Sequence, residues 1–174
     1  MPNEDREASM IGQPGTPKDQ NGQHQNGSLH NGQELDAKLA SRSGRPIRIG
    51  IAGLGRSGWN IHAKTLRAHP GLFTIASVMD PEPGRRAEAV SELGCSAHES
   101  FEGLIGEDDL DVIVIASPNH LHCEHTLASI ATGRHVVVEK PFAMDAGEAD
   151  VMIDAAERAR VVLAPFQNRR YENH

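Results

Sequence analysis

The pattern of hydrophobic and polar positions changes sharply at Pro46. The 45 residues before it contain no Val, Phe, Trp or Tyr and are rich in Gly, Gln, Asn and Ser. Such a composition cannot bury enough apolar surface to offset the entropy of ordering the backbone. It predicts a disordered low-complexity tail over residues 1–45. After Pro46, short β-branched runs alternate with longer stretches of mixed polarity, which predicts one folded domain over residues 46–171.

The domain reads as strands alternating with helices. Six apolar runs predict strands, at residues 47–52, 73–79, 96–97, 111–116, 135–138 and 161–166. The segments between them predict helices, at residues 57–69, 81–93, 100–106, 119–132 and 145–160, several of which end at a glycine. This alternation is typical of an α/β protein with a three-layer, doubly wound parallel sheet, the Rossmann fold. Ligands of such sheets bind beyond the carboxyl ends of the strands.

Composition excludes several classes of function. The net charge is −7, which argues against non-specific binding to nucleic acid. The two cysteines, Cys95 and Cys123, have neither disulfide-framework nor zinc-site spacing. No apolar run approaches the roughly 20 residues needed to span a membrane, and the N-terminus lacks a signal-peptide pattern. A cytoplasmic protein without membrane or nucleic-acid partners is therefore expected.

A glycine-rich loop follows the first predicted strand and opens the first predicted helix. Its sequence is Gly53-Leu54-Gly55-Arg56-Ser57-Gly58. In this arrangement the first glycine permits a tight turn, the second lets the backbone approach a pyrophosphate, and the third lets the helix pack close to the sheet. The amides at the helix start would bind the phosphates. The loop therefore predicts a dinucleotide site.

Asp80 ends the second predicted strand, 22 residues after Gly58. A carboxylate at this place accepts hydrogen bonds from the adenosine ribose and repels a 2′-phosphate, which favours NAD over NADP. Two alternatives remain open. Asp80 could instead be the N-cap of the next helix, and Arg85 or Arg86 could receive the 2′-phosphate of NADP.

Polar residues also follow the fourth and fifth strands. Ser117-Pro118-Asn119 comes directly after the fourth, and three histidines, at positions 120, 122 and 125, lie in the helix that follows. Residues 120 and 122 point about 200° apart on a helix, and no Cys or carboxylate completes a ligand set, so no metal site is expected. Lys140 follows the fifth strand, where it could bind a sugar hydroxyl or assist proton transfer, or could be a plain surface lysine.

Four motifs in this order resemble a known protein family. Residues 53–62, 117–122, 139–141 and 167–170 are similar to the glucose-fructose oxidoreductase / inositol dehydrogenase / MocA family, whose members are NAD(P)-dependent oxidoreductases acting mostly on sugars and cyclitols. The resemblance implies that Lys140 is the active-site lysine. It implies that the residues around the cofactor are Ser117, Pro118, Asn119, His122, Glu139 and Pro141, with Asn168 and Arg169 near the nicotinamide.

The chain departs from the family in length. Family members continue into a second α+β domain that supplies most of the substrate pocket and commonly the oligomer interface, whereas this sequence ends at His174. We therefore expect a truncated cofactor-binding domain that binds NAD(H) and is not active alone. The alternative is a non-catalytic dinucleotide-binding module that contacts a protein partner. An unrelated epimerase or reductase ranks last, since it would not explain Glu139-Lys140-Pro141.

Overall fold

The computed structural model describes residues 44–171. The predicted disordered tail falls almost entirely on residues 1–43, which lie outside the described residues. The bounds of the domain therefore stay a prediction. Within the described range, the chain folds around a single sheet.

Six strands form this sheet, and all of them run parallel. In chain order they are β1 Ile47–Ala52, β2 Phe73–Met79, β3 Ser96–His98, β4 Val112–Ile115, β5 His135–Val138 and β6 Leu163–Pro165. Their order across the sheet is β3-β2-β1-β4-β5-β6. Strands β2 and β3 thus lie on one side of β1, and β4, β5 and β6 lie on the other. The carboxyl ends of β1 and β4 border a crevice at this switch in strand order.

Helices cover both faces. Helix α1 starts as a π-helical stretch over Gly58–Ala63 and continues as an α-helix over Lys64–Arg67, and the others are α2 Pro83–Leu93, α3 Phe101–Ile105, α4 His122–Ala131 and α5 Ala146–Ala159. Short 3₁₀ helices span Asn119–Leu121 and Asn168–Tyr171. One apolar core contains side chains of α3, α4 and α5, and a second contains those of α1 and α2. The predicted three-layer Rossmann fold is confirmed.

Several element boundaries differ from the prediction. Helix α2 begins at Pro83 rather than Pro81, because Glu82 is its N-cap and accepts a hydrogen bond from the Gly84 amide at 3.2 Å. The predicted helix over residues 119–132 starts as a 3₁₀ turn, in which the Leu121 amide donates to the Pro118 carbonyl at 2.9 Å. Strand β6 is three residues long, shorter than predicted.

Candidate cofactor site

The three glycines of the loop differ in what an added side chain would meet. Gly53 has a φ of +93°, and a Cβ there would lie 2.6 Å from the Ala116 carbonyl oxygen. A Cβ on Gly58 would lie 1.8 Å from the Gly53 carbonyl oxygen. Gly55, in contrast, has no heavy atom within 4 Å of its Cβ position. Two glycines are therefore required by the fold, and the third leaves open space.

That open space belongs to a crevice of about 600 Å³ at the carboxyl ends of β1, β2 and β4. The predicted site residues that line it come from all three strand ends: Gly53, Gly55, Arg56, Ser57, Asp80, Ser117, Pro118 and Asn119. A volume of this size lies within the range of small-molecule and cofactor sites. The structure therefore brings these eight predicted residues together.

Asp80 ties the glycine loop to the end of β2. The residue is 2% exposed, and its carboxylate accepts hydrogen bonds from the Leu54 amide at 2.8 Å and the Glu82 amide at 2.9 Å. The alternative that Asp80 is the helix N-cap is wrong, because Glu82 holds that position. Leu54, predicted as part of the loop, is itself buried at 4% exposure. Leu54 therefore contributes to the loop through its backbone amide, which binds Asp80, while its side chain is buried.

The two arginines that follow Asp80 have different surroundings. Arg86 donates to the carbonyl oxygens of Asp80 at 2.8 Å and Pro81 at 2.9 Å, so it braces the turn after β2. Arg85 lines the crevice, and its Nη1 lies 3.3 Å from an Asp80 carboxylate oxygen. Its side chain is half exposed. Arg85 is therefore the arginine of this pair that borders the candidate site.

A buried stack of two rings forms another wall of the crevice. The imidazole of His125 lies parallel to the Phe101 ring, with 3.8 Å between the centroids, and its Nδ1 shares a 3.0 Å hydrogen bond with Ser117 Oγ. Burial lowers the pKa of His125 below its usual value, against the raising effect of Glu124 and Glu102. Sequence reasoning missed this pair as site residues. The one available signal was that His125 lies three residues after His122, on the same face of a helix.

The turn after β5 is held by a second histidine. His62 Nε2 donates to Glu139 Oε1 at 2.9 Å, while Glu139 Oε2 accepts from the Lys140 amide at 3.1 Å. Both His62 and Glu139 are buried, and the Phe166 ring lies against His62 with 4.4 Å between centroids. Burial lowers the pKa of His62, and the hydrogen bond to Glu139 opposes that shift. His62 was recognised from sequence only as part of a motif.

The remaining predicted residues lie around this turn. Lys140 and Pro141 are exposed and joined by a cis peptide bond, and Asn168 and Arg169 are exposed on the last 3₁₀ helix. Gly58 and His122 are buried. None of the residues named in this paragraph lines the 600 Å³ crevice. Their roles toward a cofactor stay predictions.

Within residues 44–171, no group of three or more His, Cys, Asp or Glu side chains could hold a metal ion. No helix in that range is long and apolar enough to cross a membrane.

Comparisons with known proteins agree with the fold. Residues 47–166 match the model of an oxidoreductase family described as an NAD-binding Rossmann fold. The chain is 33% identical over 133 residues to scyllo-inositol 2-dehydrogenase (NADP(+)) IolW of Bacillus subtilis, covering 73% of this chain and 35% of that protein. It is 34% identical over 118 residues to UDP-N-acetylglucosamine 3-dehydrogenase of Acidithiobacillus ferrooxidans, covering 68% of this chain and 36% of that protein.

A solved structure shares both fold and sequence. The WlbA dehydrogenase of Chromobacterium violaceum, in complex with NADH and UDP-GlcNAcA, superposes with a TM-score of 0.69 at 31% identity. The match covers 72% of this chain and 36% of that one. The chain thus spans about a third of the length of the relatives it matches.

Proposed function

The chain belongs to the glucose-fructose oxidoreductase / inositol dehydrogenase / MocA family and is an NAD-binding Rossmann domain of it, and on that premise we propose that it serves a sugar or cyclitol dehydrogenase. The single observation that carries the proposal is the open space at Gly55. An added Cβ would collide with backbone at Gly53 and Gly58, whereas the space at Gly55, where a pyrophosphate would approach, is open.

Each strand end is proposed to contact a different part of the cofactor. Backbone amides of residues 55–58 bind the pyrophosphate at the start of α1. Asp80 faces the adenosine ribose, and its negative charge favours NAD over NADP. Arg85 moderates that preference, because its guanidinium lies beside the same carboxylate. Ser117, Pro118 and Asn119 border the cofactor from the opposite wall.

The nicotinamide end is proposed to lie at the turn after β5. The cofactor, when bound, supplies hydride transfer to or from a substrate carbon. Lys140 is the catalytic candidate, since its ammonium can hydrogen-bond the reacting hydroxyl and hold or release a proton at Nζ. His62 hydrogen-bonds one oxygen of the Glu139 carboxylate, and the other oxygen accepts from the Lys140 amide. These bonds stabilise the backbone of the turn. Pro141 is proposed to line the cofactor, and Asn168 and Arg169 are proposed to lie near the nicotinamide.

The substrate class follows from the relatives rather than from the described residues. The two curated relatives carry names for dehydrogenation of an inositol and of a nucleotide sugar. We propose a polyhydroxylated small molecule of that kind as substrate. Because the chain spans about a third of its relatives' length, residues 44–171 bind the cofactor without turning over substrate on their own.

The test is a fluorescence titration of the 174-residue chain with NADH and, separately, NADPH. Saturable binding below about 1 mM, tighter for NADH, is expected. An assay of the same protein with NAD and scyllo- or myo-inositol should show no turnover above background. Absence of saturable NADH binding contradicts the proposal. Robust dehydrogenation by this chain alone contradicts its second part.

A further inference from the structure

Part of the crevice wall lies beyond the residues proposed to bind the phosphates and the ribose. Five lining residues in this part come from the segment after β3 and from the segment after β4, and they are Glu99, Phe101, Glu102, Leu121 and His125. Strand β3 is the neighbour of β2, which is followed by Asp80. Because the adenine base is joined to the ribose that Asp80 is proposed to face, the base is expected in this part of the crevice.

The ring of His125 has one nitrogen bound to the protein and one without a partner. Phe101 stacks on the ring with 3.8 Å between centroids and 1° between planes, and Ser117 Oγ lies 3.0 Å from Nδ1. Among residues 44–171, Nε2 has no hydrogen-bond partner. A polar atom of a residue that is only 7% exposed normally has one. Since His125 lines the crevice, a ligand there can supply the partner.

The hydrogen bond with Ser117 indicates which ring nitrogen carries the proton. Burial lowers the pKa of His125, so the ring is neutral at about pH 7 and has a single N–H. If the Ser117 hydroxyl donates to Nδ1, only the Nε2 N–H is left without a partner. The reverse arrangement leaves both the hydroxyl hydrogen and the Nε2 lone pair unmet, which costs more. His125 therefore offers the crevice a hydrogen-bond donor.

Glu102 offers an acceptor in the same part of the crevice. Its side chain is exposed, and its negative charge acts on His125. Hydrogen bonds from its own backbone amide and from the Ser100 hydroxyl hold the pKa of the Glu102 carboxyl below its usual value. The group is therefore a carboxylate at neutral pH, and a carboxylate can only accept hydrogen bonds.

We infer that the Nε2 N–H of His125 and the carboxylate of Glu102 select adenine over a base with the reverse hydrogen-bond pattern. Adenine has an acceptor at N1 beside a donor, its 6-amino group, and hypoxanthine has a donor at N1 beside an acceptor, its 6-oxo group. A donor facing N1 and an acceptor facing position 6 match adenine and oppose hypoxanthine. Phe101 is a positioning residue, because it fixes the plane of the imidazole. The inference rests on the proposed function and deepens it by naming the base.

The test compares two dinucleotides that differ at position 6 of the base. NADH and reduced nicotinamide hypoxanthine dinucleotide share the fluorescent dihydronicotinamide, so the same titration of the 174-residue chain measures both affinities. We expect NADH to bind roughly tenfold more tightly, the effect of about one lost hydrogen bond in an open crevice. Equal affinities for the two dinucleotides overturn the inference.

Two variants test the two groups separately. Glu102→Gln replaces an acceptor by an exposed amide that can accept or donate, so the preference for NADH should fall at least about threefold. His125→Phe keeps an aromatic ring beside Phe101 and removes Nε2, so the preference should fall in the same way. A variant that only disturbs the crevice weakens both dinucleotides and leaves their ratio unchanged. An unchanged ratio in both folded variants overturns the assignment of these two residues.

A control variant and a second outcome complete the design. His69→Gln changes an exposed histidine before β2, which makes no side-chain hydrogen bond or ion pair with the rest of the described chain, and it should leave both affinities unchanged. Saturable but equal binding of the two dinucleotides leaves the proposed function standing and overturns base selection alone. Absence of saturable binding of either dinucleotide to wild type overturns both.

Discussion

The substitution Gly55→Ala should weaken cofactor binding while leaving the stability of the fold nearly unchanged. The Cβ position of Gly55 has no heavy atom within 4 Å, so the methyl group meets no protein atom. Its φ lies outside the left-handed region, so alanine adopts the same backbone without strain. We expect the free energy of unfolding to change by less than about 0.5 kcal/mol. The methyl group would instead occupy the space into which the pyrophosphate must come.

The expected binding loss can be worked from the phosphate contacts. Backbone hydrogen bonds to a charged group contribute about 1.5–3 kcal/mol each. A methyl group that pushes the pyrophosphate away from one of these amides should therefore weaken NADH binding about 10- to 100-fold. Fluorescence titration measures the affinity, and urea unfolding followed by circular dichroism measures the stability of the same samples.

Two matched variants complete the design. Gly71→Ala adds a methyl group into open space away from the crevice and should change neither quantity. Gly58→Ala places a Cβ 1.8 Å from the Gly53 carbonyl oxygen, so the helix must move and stability should fall by about 1–3 kcal/mol or more. If folded Gly55→Ala binds NADH as tightly as wild type, the assignment of this loop to the pyrophosphate is refuted.

The remaining predictions concern three other side chains. Asp80→Ala leaves the Leu54 amide without its acceptor, so stability should fall by about 1–3 kcal/mol in urea unfolding, and the ratio of NADPH to NADH affinity should rise; an unchanged ratio contradicts the ribose assignment. Burial lowers the pKa of His62, so the unfolded chain binds protons first and stability should decrease as pH falls below about 6.5, levelling off below the folded pKa. His62→Gln should flatten the dependence of stability on pH. A variant with the same pH profile as wild type would show that His62 is not its source. Asp145→Ala removes the cap on the Glu148 amide and should lower stability by about 1 kcal/mol while NADH affinity stays unchanged.

Much of the fold was accessible from local patterns. The β-branched runs at residues 47–52, 73–79 and 135–138 coincide with strands, because side chains that pack on both faces of a parallel sheet leave a continuous apolar signal. Gly94 ends α2 in the left-handed conformation, as expected of a helix C-cap. The predicted start of α2 was wrong by two residues. Glu82 is the N-cap, so the helix begins at Pro83 rather than at Pro81.

The outline of the candidate site was also predictable. The spacing of the glycine loop and the topology of alternating strands and helices place Gly55, Asp80 and Ser117 at neighbouring strand ends, and the structure has all three on one crevice. The resemblance to one oxidoreductase family came from the order of four short motifs along the chain. Such information is local in sequence.

Only the tertiary structure decided what those residues do to one another. Asp80 is bound to the Leu54 amide, Glu139 to His62 from 77 positions away, and His122 to carbonyl groups of two loops. These bonds join elements that are distant in sequence and depend on sub-ångström placement, which hydrophobic periodicity does not encode. The sequence by itself thus predicted a dinucleotide-binding loop and the fold around it, and the packed structure decided which side chains of that region hydrogen-bond one another.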